Sequence, residues 1–304
     1  MTCRELHPFR LRLRTVFRGL TVRRGCLISG ECGWGEFAPF DDYDTAADAR
    51  WLACAIEQAD GRWPVPVREA VAVNAIVPAV APEEAVRMAL AAGCRTVKIK
   101  VGDPGSHARV AAVREALPDA SLRVDGNGLW TVPQAVAALT DMAGFGLEYA
   151  EQPVRTFQQM AQLRGEVDVP LAADELIRVD RRFDDVAQVA DVAILKVAPL
   201  GGVAATLAIA ARVGLPVVIS SALDSSLGLA AGVAAACALP EAPLACGLGT
   251  GALLADDTTE PLLPVAGRIG SRGYPAPATA WPGAEEDLPY WRDRVEAARR
   301  LLDE

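Results

Sequence analysis

The chain has 304 residues, of which 51% are apolar and 23% are charged, so it can bury a sizeable core and does not have the composition of a disordered chain. Lys and Arg number 30 against 39 Asp and Glu, which gives a formal net charge of −9. This acidic balance argues against a nucleic-acid partner.

The sequence shows no sign of a membrane span or a secretory signal. Residues 225–240 form the longest stretch without a charged side chain, and it is shorter than the roughly 20 apolar residues that cross a bilayer. The N-terminal stretch MTCRELHPFRLRLR has basic residues but no continuous apolar segment. We therefore expect a cytoplasmic protein with no membrane partner.

The cysteines and histidines do not have the spacing of a zinc site. His7 and His107 are far apart, and no CxxC pair is present. Cysteine in apolar surroundings packs as a small hydrophobic residue. We expect free, buried thiols at Cys3, Cys26, Cys32, Cys54, Cys94, Cys237 and Cys246.

Residues 1–70 are predicted to form an α+β domain. Two strand-like runs, FRLRLRTVFRG and LTVRRGCLISG, precede a glycine-rich turn and then a helix. Thr45 and Asp48 have the spacing of a capping box at the start of that helix. Its buried face is predicted to contain Trp51, Leu52, Ala55 and Ile56.

Residues 71–262 alternate between short apolar runs and Ala-rich helical stretches, as in βα units. One predicted helix has Pro82 at its start and Gly93 as its C-cap. Eight predicted strands start 21 to 27 residues apart, at Ala72, Thr96, Leu122, Leu147, Pro170, Asp191, Pro216 and Pro243. This spacing favours an α/β fold of the (β/α)8 type, and the absence of GxGxxG after a strand argues against a Rossmann sheet.

The remaining residues, 263–304, contain a Pro/Gly-rich stretch and a final helix predicted from about Glu285 to Leu302. We expect this segment to return to the N-terminal α+β layer, so that the two ends of the chain form one domain beside the barrel.

Charged residues stand at the ends of five consecutive predicted strands, where a barrel of this type places its reactive groups. They are Lys98 and Lys100, Asp125 with Asn127, Glu151, Asp174 with Glu175, and Lys196. Taken alone, any one acidic residue is more often a helix cap or an ion-pair partner. Together, three converging carboxylates need a cation between them, and an all-oxygen site favours magnesium.

Strand alternation indicates which of these side chains share a face. Lys98 and Lys100 are two residues apart and point the same way, opposite to the apolar Val97 and Ile99. By the same rule Glu175 is expected to point away from the face of Asp174.

The stretches VKIKVG, RVDGNGLW, EYAEQPV, LAADEL and ILKVAPLGG, in that order, resemble the enolase superfamily in its muconate lactonising enzyme subgroup. The resemblance implies a modified (β/α)7β barrel with a capping domain built from both chain ends. It implies that Asp125, Glu151 and Asp174 bind Mg²⁺ and that Lys100 and Lys196 face each other across the substrate. Lys98 would favour a neutral amine on its partner by like-charge repulsion.

The ends of the last two predicted strands select a branch of this subgroup. The seventh ends in Ser220 and Ser221, without the His base of mandelate racemase-like members. The eighth carries Gly247-Leu248-Gly249-Thr250, where dipeptide epimerases have DxD. The remaining resemblance implies syn dehydration of 2-succinyl-6-hydroxy-2,4-cyclohexadiene-1-carboxylate in menaquinone biosynthesis, with the substrate bound by Arg123, Asn127, Ser220, Ser221, Gly247 and Gly249.

In this interpretation Lys100 removes the α proton and returns it to the departing hydroxyl, while Lys196 lies over the ring as a cation. The loop Phe37–Phe40 is expected to close the site. No functional role is assigned to Asp224, for which a helix N-cap is the ordinary structural interpretation. One alternative is an N-acylamino acid racemase, in which both lysines exchange protons with the α carbon. Another is a non-catalytic or Schiff-base barrel, in which the carboxylates only pair with lysines.

Overall fold

The computed structural model describes residues 4–277 and 283–303 of the chain. The N-terminal region contains the antiparallel strands β1 (Leu6–Phe17), β2 (Leu20–Ser29) and β3 (Trp34–Phe37), followed by helix α1 (Thr45–Ala59). The two predicted strands and the helix are therefore confirmed. The predicted capping box is wrong: Asp44 is the N-cap and accepts from the Ala47 amide, while the Asp48 carboxylate binds Arg294.

The central region alternates strands and helices as predicted. Its elements are β4 (Ala70–Ala72), β5 (Asn74–Val77), α2 (Pro82–Ala92), β6 (Thr96–Lys100), α3 (Ser106–Ala116), β7 (Ser121–Asp125), α4 (Val132–Met142), β8 (Leu147–Glu151), α5 (Phe157–Arg164), β9 (Leu171–Ala173), α6 (Glu175–Arg178), β10 (Val192–Lys196), α7 (Val197–Leu200), α8 (Val203–Val213), β11 (Val217–Ser220) and α9 (Ser226–Ala238). Strands β5 to β11 form one sheet in chain order, and every neighbouring pair is parallel. This is the barrel sheet that the spacing predicts.

The eighth predicted strand is much shorter than expected, because the chain there pairs with its neighbours through two isolated parallel bridges. Cys246 pairs with Val73 on one side, and Gly247 pairs with Ser220 on the other, so this short segment joins β11 to the entry of β5. Pro243 has no amide hydrogen, and a side chain at Gly247 would place its Cβ 3.0 Å from that of Ser220. The Cys246 amide donates to the Ala72 carbonyl and the Gly247 amide donates to the Ile219 carbonyl, so the segment bonds to both neighbours and closes the barrel. It takes the place of the last strand of a modified (β/α)7β barrel.

The connection between β9 and β10 also departs from the prediction of one full crossover helix. It contains the four-residue α6 and a single 3-10 turn, Val186–Gln188. In contrast, α2 begins at Pro82 and ends against Gly93, whose φ of 61° is the left-handed conformation that glycine adopts without strain.

After the barrel, β12 (Arg268–Gly270) pairs with β4, and α10 (Leu288–Asp303) returns to the N-terminal region and packs on α1. A second hydrophobic cluster joins these chain ends to the barrel. It contains Phe9, Trp51 and Trp291 together with Leu223 and Leu227. We propose that residues 1–70 form a capping domain, residues 71–262 the barrel, and residues 263–304 a segment that returns to the capping domain.

The described cysteines are free thiols, as expected, and all but one of them are buried. Cys26, Cys54, Cys94, Cys237 and Cys246 are buried, whereas Cys32 is exposed, and Cys3 lies outside the described residues. Within residues 4–277 and 283–303, no helix is long and apolar enough to cross a membrane.

Candidate active site

A cavity of about 540 Å³ lies where the barrel strands end and the N-terminal hairpin overhangs them. Its charged and polar lining from the barrel consists of Lys98, Lys100, Asp125, Asn127, Glu175, Arg178, Lys196, Ser220, Ser221 and Thr250. The N-terminal region contributes Val16, Phe17, Arg18, Gly19 and Phe40. The structure thus brings most of the sequence-predicted site residues to one cavity.

Lys98 is buried between two of the carboxylates. Its Nζ lies 3.1 Å from Asp125 Oδ2 and 2.9 Å from Glu151 Oε2, and the residue is only 5% exposed. Burial works against its charged form, but the charges of Glu151 and Asp125 prevail and raise the pKa of Lys98. Lys98 therefore acts as a fixed positive charge that holds these two side chains together.

Lys100 and Lys196 approach the cavity from opposite sides of the barrel. Their strands, β6 and β10, are separated by three strands in the sheet order. Lys100 Nζ donates to Asp125 Oδ2 at 2.6 Å and to Asn127 Oδ1 at 2.5 Å, and it lies 5.6 Å from the Phe17 ring. Lys196 Nζ donates to Asp174 Oδ2 at 2.5 Å. Each amine is thus oriented by a carboxylate while its residue lines the cavity.

The three carboxylates predicted to bind metal come from adjacent strand ends. Asp125 and Glu151 are register partners on β7 and β8, and Asp174 follows β9 directly. All three are buried. Burial and the neighbouring charge of Asp125 raise the pKa of Glu151 to about 7, with a further contribution from Asp174. Burial opposes ionisation of Asp174, but Arg178 and Lys196 lower its pKa to about 2.

The donor chemistry of this cluster fits a small divalent cation. Carboxylate oxygens are the ligands that Mg²⁺ prefers, and these three carboxyl groups are buried at adjacent strand ends. Burial first, and then the charges of Asp125 and Asp174, raise the pKa of Glu151, and a nearby cation would favour its charged form. Within the described residues, no group of three His, Cys, Asp or Glu side chains is already arranged around a common point as a metal site. Lys98, Lys100, Lys196 and Arg178 occupy the carboxylate oxygens instead.

Glu175 does not point away from Asp174, and that prediction is wrong. Strand β9 ends at Ala173 and α6 begins at Glu175, so strand alternation no longer applies. Arg178 binds both carboxylates, with Nε 3.0 Å from Asp174 Oδ1 and Nη2 2.6 Å from Glu175 Oε1. Arg178 was not predicted as a site residue, although its spacing of three and four residues from two acids is typical of ion pairs on a helix.

Four predicted substrate-binding residues lie at or just behind the cavity wall. Ser220 and Ser221 line it, and Ser221 Oγ lies 2.5 Å from Thr250 Oγ1. Gly247 packs behind Ser220, and Gly249 precedes the 3-10 turn that begins at Thr250. The cavity therefore presents hydroxyl groups at this side, while the two glycines shape the wall behind them.

Arg123, the remaining predicted substrate-binding residue, lies away from the cavity. It is fully buried below Asp125 on β7, where its Nε donates to Glu148 Oε2 and its Nη1 donates to the Ala245 carbonyl at 2.6 Å. Its guanidinium also lies 4.6 Å from the centre of the Tyr149 ring. Arg123 does not line the cavity, which argues against the expectation that it binds substrate.

The wall supplied by the N-terminal region differs from the expected loop Phe37–Phe40. Only Phe40 of that loop lines the cavity, because Phe37 and Ala38 are packed in the core between this region and the barrel. The turn between β1 and β2, with Phe17 and Arg18, forms the wall instead. Asp224 is likewise no N-cap: Ser225 holds that position for α9, and Asp224 accepts from the Ala222 amide.

The fold and site define a member of the enolase superfamily, and the chain belongs to it. Residues 81–273 match the family described as enolase C-terminal domain-like, and residues 9–59 match the family described as enolase N-terminal domain-like.

Its relatives include proteins named o-succinylbenzoate synthase. The protein from Thermobifida fusca is 50% identical over 97% of this chain and 96% of its own length. The protein from Mycolicibacterium smegmatis is 47% identical over 98% of this chain and 96% of its own length. A solved L-Ala-D/L-Glu epimerase from Bacillus subtilis superposes with a TM-score of 0.79 over 92% of this chain and 98% of its own, at 21% identity, which shows the shared fold.

Proposed function

We propose that this chain catalyses the o-succinylbenzoate synthase reaction, the Mg²⁺-dependent syn dehydration of 2-succinyl-6-hydroxy-2,4-cyclohexadiene-1-carboxylate to 2-succinylbenzoate in menaquinone biosynthesis. The observation that carries the proposal is the cavity lined by both Lys100 and Lys196, whose amines pair with the buried Asp125 and Asp174. The names of relatives about half identical over nearly the whole chain support the choice of substrate.

Asp125, Glu151 and Asp174 are proposed to hold the cation. When bound, Mg²⁺ supplies positive charge that polarises the substrate carboxylate and makes the proton on the adjacent carbon more acidic. Lys98, which bridges Asp125 and Glu151, keeps these two carboxylates in place during the reaction.

Lys100 is proposed as the acid/base group. As a neutral amine it accepts the α proton, and as an ammonium it returns that proton to the hydroxyl leaving from the same face, so that one C–H and one C–O bond break and water forms. Asp125 and Asn127 orient its Nζ for this task. Lys196, on the opposite side, is proposed to place a positive charge over the ring as negative charge develops there.

The opposed lysines also favour a second candidate, an N-acylamino acid racemase. Racemisation needs one group on each face of the α carbon, which Lys100 and Lys196 provide. The two candidates are separated by incubating the purified protein with the cyclohexadiene and, in parallel, with N-acylamino acids of one hand. The proposal requires formation of 2-succinylbenzoate, and efficient racemisation without that product would contradict it.

A control for metal and covalent chemistry belongs in the same experiment. Activity should be lost with EDTA and restored by Mg²⁺, because the carboxylates need the cation to act on the substrate. An EDTA-insensitive activity that borohydride traps on a lysine would instead identify Schiff-base chemistry.

A further inference from the structure

A buried polar cluster lies where the N-terminal region meets the barrel, behind the cavity wall. Glu36 of β3 and Arg23 of β2 meet Asp224 and Ser225, which follow β11. Each of the four is at most 8% exposed, and neither Glu36 nor Arg23 lines the cavity. Burying a charged side chain costs free energy unless the charge is paired or hydrogen-bonded. The partners of Glu36 and Arg23 therefore indicate what each side chain stabilises.

Glu36 binds the start of helix α9 from outside that helix. Its carboxylate accepts from the Ser225 amide at 3.2 Å, from the Gly228 amide at 3.3 Å and from the Ser225 hydroxyl. The first amides of a helix lack partners within it, and the side chain of Ser225 makes no capping bond of its own. Glu36 thus caps a barrel helix with a side chain of the N-terminal region.

Gly228 is required for this close approach. A Cβ built on Gly228 would lie 2.7 Å from the carboxyl carbon of Glu36, closer than carbon atoms of two residues pack. Glycine inside a helix costs helix stability, so its presence here agrees with a helix built to receive the Glu36 carboxylate.

Arg23 contacts the loop Ser221–Ser225, which joins β11 to α9, at Leu223. Its Nε donates to the Leu223 carbonyl at 3.0 Å, its Nη2 donates to the Ala38 carbonyl, and its guanidinium lies 4.3 Å from the centre of the Phe40 ring. Leu223 has a φ of 63°, an uncommon conformation for a bulky residue, which persists when surrounding contacts impose it.

The loop fixed in this way forms part of the cavity wall. Ser221, Ala222 and Leu223 all line the cavity, and Ser221 is hydrogen-bonded to Thr250. We propose that Glu36 and Arg23 are positioning residues, which hold the Ser221–Ser225 loop so that Ser221 and Leu223 contact the bound substrate. The proposal concerns substrate binding and rests on the proposed function for the identity of that substrate.

The chain offers a matched control in Glu57 of α1. Its carboxylate accepts from the amides of Val203 at 2.5 Å and Ala204 at 2.9 Å, so it caps helix α8 as Glu36 caps α9. Gly202 gives it room, since a Cβ there would lie 2.9 Å from the Glu57 carboxyl carbon. No residue of α8 lines the cavity within the described part of the chain. Loss of Glu57 therefore disturbs a similar contact without disturbing the wall.

The test compares Glu36→Leu, Glu36→Gln and Glu57→Leu in the full-length protein with Mg²⁺ present. Leucine leaves the capped amides without a partner, whereas glutamine keeps one acceptor. We expect Glu36→Leu to raise KM for the cyclohexadiene about tenfold or more with kcat changed less than about threefold, because both lysines stay in place. Glu36→Gln should recover most of this loss, and Glu57→Leu should leave KM within about twofold of the parent. An unchanged KM in Glu36→Leu, or an equal rise in Glu57→Leu, overturns the proposal.

Hydrogen–deuterium exchange provides a readout that does not depend on the substrate. Amides of residues 221–228 should exchange about tenfold faster in Glu36→Leu than in the parent, while in Glu57→Leu faster exchange should be confined to the start of α8. If Glu36→Leu does not fold, Gly228→Ala tests the same contact from the helix side and should give the same change. A parent protein without dehydratase activity contradicts the proposed function alone, whereas unchanged exchange at 221–228 contradicts the positioning role.

Discussion

Arg178 and Asp174 form a buried ion pair immediately beyond β9, with Arg178 Nε 3.0 Å from Asp174 Oδ1. Arg178 also binds Glu175 and donates through Nη1 to the Tyr43 hydroxyl of the N-terminal region at 2.8 Å. The Arg178 guanidinium therefore orients Asp174, a proposed metal ligand, and connects it to the N-terminal region.

We expect Arg178→Gln to raise the Mg²⁺ concentration for half-maximal activity by roughly 10 to 100-fold, because groups that orient metal ligands influence affinity to this extent. Initial rates measured across a Mg²⁺ titration check this expectation. Arg182→Gln is the control, since Arg182 pairs with Asp185 at the surface, away from the cavity. An unchanged Mg²⁺ requirement in Arg178→Gln would show that Asp174 does not depend on Arg178 for binding.

The three carboxylates provide the direct test of the metal site. Asp125→Asn, Glu151→Gln and Asp174→Asn should each lose Mg²⁺-dependent activity and measurable Mg²⁺ binding by calorimetry, because each substitution removes one ligand charge. Circular dichroism should match the parent. Asp103→Asn serves as the control, because Asp103 also follows a barrel strand but pairs with Arg109 outside the cavity. Full Mg²⁺ binding in any of the three variants removes that residue from the ligand set.

The lysines and Asp125 could be predicted to line one cavity because they stand at strand ends on the same edge of the sheet. Glu151 and Asp174 do not line it but are buried behind it, paired with Lys98 and Lys196. Strand alternation then fixes the face, as the buried apolar environment of Val97 and Ile99 behind Lys98 confirms. The same rule gave the wrong face for Glu175, because the strand had already ended and a helical turn had begun. Local pattern therefore predicts side-chain direction only where the element boundary is also known.

The cavity wall supplied by the N-terminal region could not be predicted, for a different reason. Phe17 and Arg18 reach the cavity through the length and twist of a hairpin at the far end of the chain, and nothing local marks them as wall residues. The closing segment around Cys246 and Gly247 is similar: its apolar residues resemble a strand, but its partners are set by closure of the whole barrel. Long-range geometry decides both features.

Arg123 offers a test of structural against substrate-binding roles. Arg123→Met is predicted to lower the free energy of unfolding by about 1 to 3 kcal/mol, because the Ala245 carbonyl loses its donor and Glu148, which is 32% exposed, loses its partner. In the folded enzyme KM should stay within about threefold of the parent. Urea denaturation and steady-state kinetics measure the two effects. A large rise in KM without loss of stability would return Arg123 to the substrate site.

Glu36 predicts a pH dependence of stability. Burial and the neighbouring charge of Asp224 raise the pKa of Glu36 from 4.5 to about 7 in the folded protein, against the opposing effects of Ser225 and Arg23. Between these values the folded state binds a proton that the unfolded state releases, so the contribution of Glu36 to the free energy of unfolding falls as pH rises. The stability of the parent minus that of Glu36→Gln should therefore be greater at pH 5 than at pH 8. Equal differences in urea denaturation at the two pH values would contradict the raised pKa.

The last prediction concerns the lysine that transfers the proton. Lys100→Ala should abolish either dehydration or racemisation, so it identifies the essential base without distinguishing the two reactions. Lys196→Arg distinguishes the two reactions, because arginine keeps the positive charge but stays protonated and therefore cannot act as a base.

For a dehydratase, Lys196→Arg keeps the charge that the ring requires, and turnover should fall less than in Lys196→Ala provided that the guanidinium fits beside Asp174. For a racemase, Lys196→Arg should abolish proton exchange on one face of the α carbon altogether. Reactions run in deuterium oxide measure the difference: the α position of recovered cyclohexadiene should contain no deuterium delivered by Lys196. Deuterium there in the parent, lost in Lys196→Arg, would mean that Lys100 and Lys196 form an acid/base pair at the α carbon, which contradicts a purely electrostatic role for Lys196.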